Sequence, residues 1–529
     1  MQRRQLLMTS SILLSAGASG SSLAAAQTPK VGRGLLEEAK ATELLQAMAA
    51  GQITSLKLTE QCLARISAID KRGPRINSVI ELNPDAKALA RVLDAERKAG
   101  KLRGPLHGLP VLLKDNIATG DRMHTSAGSL ALSDVIATRD AHLVTRLRAA
   151  GAVILGKTNL SEWANIRSTR STSGWSGRGG QTRNPYALDR STGGSSAGTG
   201  AAIAASLAPL GVGTETDGSI ISPSSLNGLV GLKPTLGRIS RDGVIPIAHS
   251  QDTAGPMTRT VADAALLYSV MAGPDENDAI TTTAPAFFNE GALSKDALRG
   301  ARLGIARNYL VGFDEINAVF DRAVGTLRQQ GAIIIDDVQL PTPTYRAAER
   351  LVLLYELKHD LAQWLRTFAP QASVQTLADV IAFNKAHAGL EMPWFAQELF
   401  EQAQELGGLD SPAYLEARAA CIKGARVDGL DRVIDQHQLD AVIAPSGGVA
   451  WLIDPIAGDH SGGSFAAPAA VSGYPHLTVP AGSVRGLPVG LSFVGKAFSE
   501  WRLLNLGYAF EQATLHRRAP TYMPRSVPL

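Results

Sequence analysis

The chain reads as an α/β protein whose sheet is covered by helices on both faces. Three observations predict this. Short apolar runs at 109–113, 152–155, 210–213, 441–444, 477–480 and 489–493 each lead into loops rich in small residues. Helical patterns such as 141–150 and 501–512 separate several of these runs, and buried strands alternating with helices build a sheet covered on both sides. Strand-bearing segments lie near both ends, at 78–155 and 441–493, so one sheet draws on distant parts of the chain.

Composition agrees with a large buried core. The 529 residues are 45% hydrophobic and 19% charged, which excludes a disordered tail, a collagen-like repeat and a coiled coil. Basic residues exceed acidic ones by only four, and two of these, Arg3 and Arg4, lie in a segment expected to be removed. So small an excess predicts no nucleic-acid partner, despite a sequence pI of 9.0.

Residues 1–26 begin with Arg3-Arg4, continue through an apolar stretch over 6–14 and end at Ala24-Ala25-Ala26. A basic start, a short apolar run and a small-residue cleavage site describe an export signal, and the arginine pair suggests the twin-arginine route. A periplasmic or secreted protein is expected. No later stretch reaches about 18 uninterrupted apolar residues, so no stable membrane association is expected after the signal is removed. Cys62 and Cys421 each sit in a helix-like segment, which predicts buried unpaired thiols rather than a disulfide framework.

From 35 to about 104 the spacing is helical, interrupted by a strand-like Ser78-Val79-Ile80-Glu81-Leu82. The stretch 346–430 is mostly helical and reads as an insertion or cap on a single domain over 27–529.

Two motifs resemble known chemistry and fail on context. Gly151-Ala152-Val153-Ile154-Leu155-Gly156-Lys157-Thr158 matches a phosphate-binding loop letter for letter. A working loop of that kind lies after its strand, whereas here the residues between the glycines are themselves a strand. Gly194-Ser195-Ser196-Ala197-Gly198 fits a nucleophile elbow, but polar loop precedes it where a strand is needed. The ten histidines are scattered without paired ligand spacing, so neither a metal site nor any cofactor is expected.

Three other segments carry chemistry together. Gly108-Leu109-Pro110-Val111-Leu112-Leu113-Lys114 is a buried-type strand ending in lysine. The run from Gly193 to Ala204 is a small-residue loop opening into a helix that must pack closely. Gly211-Val212-Gly213-Thr214-Glu215-Thr216-Asp217-Gly218-Ser219 is a strand breaking into a second Gly/Ser turn. A helix over 197–208 spans roughly 18 Å and a strand over 210–215 roughly 20 Å. If the strand returns along the helix, Ser195 and Ser219 meet at the same end of the fold. A serine needs an adjacent base, and lysine can act as one only when desolvation leaves it neutral. The apolar run before Lys114 supplies that setting, and glycines on both serine loops permit an oxyanion site of backbone N–H groups.

In this order the three segments resemble the amidase signature family of hydrolases, and the likeness runs through most of the mature chain. The resemblance implies an α/β/α sandwich around a large mixed sheet. It also implies a Ser–cis-Ser–Lys triad with Ser219 as nucleophile, Lys114 as base and Ser195 as the bridging serine after a cis bond from Gly194. The backbone N–H groups of Thr216, Asp217, Gly218 and Ser219 would form the oxyanion hole. The chain departs from the commoner family pattern at Asp217, where many members have glycine, and at Ile221-Ser222-Pro223, where many carry an arginine. These departures, the segments 157–165 and 179–185 and the export signal are similar to bacterial peptide amidases.

The expected reaction is metal-independent hydrolysis of a carboxamide, R–CO–NH2, to a carboxylate and ammonia, with C-terminal peptide amides as the leading substrates. Asn165 is a candidate substrate contact, though an Asn there serves equally as a helix or turn cap. The alternatives are a broad aliphatic or aryl amidase of the same family and a non-catalytic exported binding protein for amidated ligands.

Overall fold

The computed structural model describes residues 35–286, 291–336, 338–341 and 344–526; the expected export signal lies outside them. Eleven strands form one mixed sheet. In chain order they are β1 (Val79–Leu82), β2 (Pro110–Lys114), β3 (Val153–Thr158), β4 (Leu210–Glu215), β5 (Val230–Lys233), β6 (Thr253–Thr258), β7 (Arg302–Ile305), β8 (Ile333–Ile335), β9 (Ala441–Pro445), β10 (His476–Val484) and β11 (Leu487–Val494). Their order across the sheet is β1-β3-β2-β4-β6-β5-β10-β11-β9-β7-β8, with β1 and β8 at the edges and the N-terminal strands joined to the C-terminal ones where β5 pairs with β10. Every residue of β2, β3, β4 and β6 is buried, as apolar runs covered on both faces require. Helices flank the sheet, and the sandwich expected from the sequence is the fold observed.

Within 151–158, Val153–Thr158 is a strand, as its apolar content demanded, not a phosphate loop. β2 and β4 are parallel neighbours, with Val111 opposite Leu210 and Leu113 opposite Val212. Parallel pairing carries the C-terminal ends of both strands to one edge of the sheet, where ligands of open α/β sheets bind. Lys114 ends β2, and the Thr216–Ser219 turn follows β4.

Helix α1 (Ala197–Ala204) packs its small face onto β4. A Cβ added at Gly211 would lie 2.6 Å from Ile203 Cγ1, and one at Gly198 would lie 2.3 Å from the carbonyl oxygens of Asn159 and Ser78. The helix is shorter than the expected 197–208. Ser206 adopts φ +53°, its carbonyl accepts from Arg65 Nε and its hydroxyl from the Glu38 N–H. Tertiary partners, which local propensity does not register, therefore end it. A one-and-a-half-turn helix, α2 (Ile221–Leu226), begins just after Ser219.

The region 346–430 is helical, as expected. It opens with the 23-residue helix α3 (Arg346–Phe368) and continues through Leu377–Ala386, Glu398–Glu405 and Pro412–Ile422. Cys62 and Cys421 are both buried and unpaired. Among the described residues no helix is long and apolar enough to cross a membrane.

Candidate active site

Lys114 is fully buried at the end of β2. Its Nζ lies 2.8 Å from Ser195 Oγ and 2.9 Å from Thr214 Oγ1, and also donates to the Thr214 carbonyl. Asn116 Nδ2 donates to the same threonine hydroxyl at 3.0 Å and so orients it. Burial pulls the Lys114 pKa from 10.5 down to about 7, against the nearby carboxylates of Asp252 and Glu215, which pull it back up. Close to neutrality a large share of this amine is uncharged, which is what a general base requires.

The peptide bond between Gly194 and Ser195 is cis. Ser196, the serine of the elbow-like motif, is a structural stitch: its hydroxyl donates to Thr214 O and accepts from Thr214 N. Its own N–H donates to the Ser219 carbonyl at 3.2 Å. The two serine loops therefore meet at one end of the fold, as the helix and strand lengths predicted.

The turn holding Ser219 is closed from below. Glu215 Oε2 accepts from the N–H groups of Ile220 at 2.7 Å and Ile221 at 3.0 Å. Gly218 takes φ +79°, a left-handed conformation that only glycine adopts without strain. Among the described residues, the N–H groups of Asp217, Gly218 and Ser219 donate to no partner. Thr216 is fixed by its hydroxyl, which donates to Asp252, and by its carbonyl, which accepts from Gln251 Nε2 at 3.1 Å. Asp252 also accepts from the N–H groups of Ile247 and Ala248, while burial raises its pKa to about 6.

Ser219 is 8% exposed, and Ser195 is not exposed at all. The Lys114–Ser195 link is made, but Ser219 Oγ has no hydrogen bond to any described residue. The second link of the expected relay is thus open in this structure. Beside Ser219, a cleft of about 200 Å³ runs between Gly194 and Gly218 on one side and Ser446, Trp451, Asp459 and Ser464 on the other. Asp459 is held by the Ser173 N–H and by Trp451 Nε1 at 2.9 Å.

Asn165 does not cap a regular helix. It has φ +72°, its Nδ2 donates to Ser173 Oγ on the cleft wall, and its buried Oδ1 has no partner among the described residues. One group of metal-ligand type occurs among the described residues: His249, Glu356 and Asp360, with atoms within 4.8 Å of one another. They satisfy one another instead. His249 Nδ1 is 2.8 Å from Asp360, Tyr414 donates to Glu356, and the two carboxylates outweigh burial to raise the His249 pKa.

Sequence reasoning missed Gln251, Asp252, Arg346 and Glu349, which reach the turn from outside the three motif segments. None carries a local pattern that marks it.

Fold and cleft together define an α/β/α hydrolase with a buried lysine–serine pair. Comparison with known proteins gives the class. A family model described as Amidase matches residues 57–504, and the chain belongs to that family, the amidase signature hydrolases. The native peptide amidase of Stenotrophomonas maltophilia is 50% identical, with a TM-score of 0.87 over 92% of this chain and 99% of that one. A probable amidase of Arabidopsis thaliana is 38% identical over 92% of both chains. A glutamyl-tRNA(Gln) amidotransferase subunit from Symbiobacterium thermophilum is 35% identical over 90% of this chain and 97% of its own. The protein is an amide-hydrolysing enzyme.

Proposed function

We propose that the enzyme removes the C-terminal amide of peptides through an acyl-Ser219 intermediate. Neutral Lys114 accepts a proton from Ser195 as Ser195 takes one from Ser219, whose Oγ attacks the carboxamide carbon. The oxygen of that carbon becomes an anion facing the N–H groups of Thr216, Asp217, Gly218 and Ser219. As the C–N bond breaks, the proton returns through Ser195 to the leaving nitrogen and ammonia departs. Water then attacks the ester by the same relay and releases the carboxylate.

The observation that carries this reading is the 2.8 Å contact between a desolvated lysine and Ser195, beside a Ser219 hydroxyl that has no hydrogen bond to a described residue and follows Gly218 of the cleft wall. The relay needs Ser219 Oγ to come within reach of Ser195 Oγ. Catalytic hydrogen bonds are commonly long without substrate and tighten in the Michaelis complex. The polar cleft wall suits the repeating amides of a peptide, and Asn165, proposed as a substrate contact, would act there through Ser173, which it holds on that wall. Identity of 50% to the peptide amidase, against 35% to the amidotransferase chain, favours peptide amides over charged tRNA. We read 27–529 as one amidase domain capped by 346–430, exported by the 1–26 signal.

Ammonia release is measured from amidated peptides, the same peptides as free acids, and simple aliphatic and aryl amides. Fast release from peptide amides alone supports the reading. Comparable turnover of all amides makes the enzyme a broad amidase, and binding without release makes it a capture protein. Ser219→Ala and Lys114→Ala each abolish nearly all turnover, and a chelator changes nothing; turnover surviving in either variant refutes that residue's role. N-terminal sequencing of the exported protein tests the signal, with Gln27 as the expected first residue.

A further inference from the structure

Asp217 sits two residues before Ser219, and its carboxylate stands beside the turn whose N–H groups face the substrate oxygen. Both Asp217 and Arg346 line the cleft, and an unpaired carboxylate there would oppose the anion the turn must hold, because like charges repel. The structure pairs it. Arg346 Nη1, from the first residue of α3, lies 2.7 Å from Asp217 Oδ2 and 3.2 Å from Glu349 Oε2. The circuit then returns to the turn. Gln251 Nε2 reaches Glu349 Oε1 at 3.2 Å and donates to the Thr216 carbonyl at 3.1 Å. Both flanks of the turn are therefore tied to one helix end, 129 residues away in sequence.

Burial, with Asp217 second, raises the Glu349 carboxyl against the pull of Arg346, so Arg346 is the cation that both carboxylates share. Burial raises the pKa of the Tyr309 and Tyr345 hydroxyls and of the Cys421 thiol of the neighbouring helix, and Arg418 of that helix is a further cation acting on Cys421.

We propose that Arg346 is a positioning residue for amide hydrolysis: it neutralises Asp217 and, through Glu349 and Gln251, holds the Thr216–Ser219 turn aimed at the substrate oxygen. This rests on the assignment of that turn as the oxyanion site. Arg346 need not touch the reacting atoms.

The test compares Arg346→Ala, Arg346→Gln, Arg346→Lys and the double variant R346A/D217N on whichever amide the wild type cleaves fastest. Arg346→Ala and Arg346→Gln are expected to lower kcat by about 10- to 100-fold, up to the loss known for one oxyanion donor, with KM within about threefold. Arg346→Lys restores part of the charge and part of the rate. Adding Asp217→Asn to Arg346→Ala removes the stranded carboxylate and recovers at least about fivefold in kcat, a rescue that general unfolding cannot produce. A kcat for both neutral variants within twofold of wild type overturns the proposal. So does a loss confined to KM, or a double variant no faster than R346A while both melt at the wild-type temperature. If R346A does not fold, the comparison is made between R346Q and R346Q/D217N. Failure of the underlying reading shows elsewhere, as turnover retained by Ser219→Ala.

Discussion

Lys114 Nζ and Ser195 Oγ are 2.8 Å apart, and neither side chain is reached by solvent. An amine so placed loses most of its hydration, and its basicity falls into the range where it can exchange protons with a serine near neutral pH. The nearby carboxylates moderate this, since without Asp252 and Glu215 the fall would be larger.

A pH profile follows from that arrangement. With the neutral amine as the proposed base, kcat should fall on acidification through about 7, with one proton taken up, and level off above. Asp252→Asn removes a charge that favours the ammonium form while keeping an acceptor for the Thr216 hydroxyl. Its acid limb should move to lower pH. A limb that stays in place, or moves up, contradicts the electrostatic role of Asp252.

Stability should improve when the base is removed. Unfolded Lys114 titrates near 10.5 and folded Lys114 near 7, so unfolding takes up a proton between those values. The penalty on the folded state is thus fully present below about pH 7 and disappears as pH rises toward 10.5. Lys114→Met should be inactive yet melt a few degrees higher at pH 7, reflecting on the order of a few kcal/mol. That gain should shrink at pH 10. Calorimetry at both pH values decides it, and an unchanged or lower melting temperature at pH 7 would count against a desolvated lysine.

Ser195→Ala interrupts the relay without touching the attacking oxygen. A positioned proton-transfer group is worth about 10²- to 10⁴-fold, so kcat should drop by that amount while KM changes little. Steady-state kinetics at pH 8 would show it, and a drop of less than tenfold would mean that Lys114 reaches Ser219 without help.

Close packing at α1 gives a mutational test of fold rather than chemistry. Gly198→Ala would put a methyl group 2.3 Å from two main-chain carbonyl oxygens, which cannot swing aside as a flexible side chain could. Overpacking of this kind costs about 1–3 kcal/mol. The variant should melt lower, and its activity should fall with the displacement of Ser195 and Ser196 at the helix entrance. Wild-type stability in this variant would mean that α1 packs less tightly than the structure has it.

Much of this architecture was legible before any coordinates. β4 occupies 210–215, the span assigned to it, because the small and apolar run Leu210–Gly213, buried on both faces, leaves few alternatives. The meeting of the two serine loops was expected if the strand returned along the helix, and it occurs although the helix ends at Ala204 rather than 208. β6 was not legible. Its Gly255-Pro256 reads as a turn, yet Pro256 pairs with Val212 inside the sheet, and Gly255 leaves room only for the Leu232 carbonyl. Gln251 and Asp252 lead into that strand, so their approach to the turn was hidden with it. Arg346 and Glu349 lay in a stretch read as a cap, where an Arg and a Glu three apart resemble any solvated helix face. Only tertiary contact distinguishes them.

The groups proposed to react are buried at the end of β2, after β4 and at the entrance to α1, whereas Ser446, Trp451, Asp459 and Ser464 of the cleft belong to connecting segments. That division of labour makes selectivity separable from bond cleavage. A library randomised over 446–464 should yield catalysts with altered acceptance of side chains but an intact turnover machinery, a route to new amide specificities that leaves the proton relay alone.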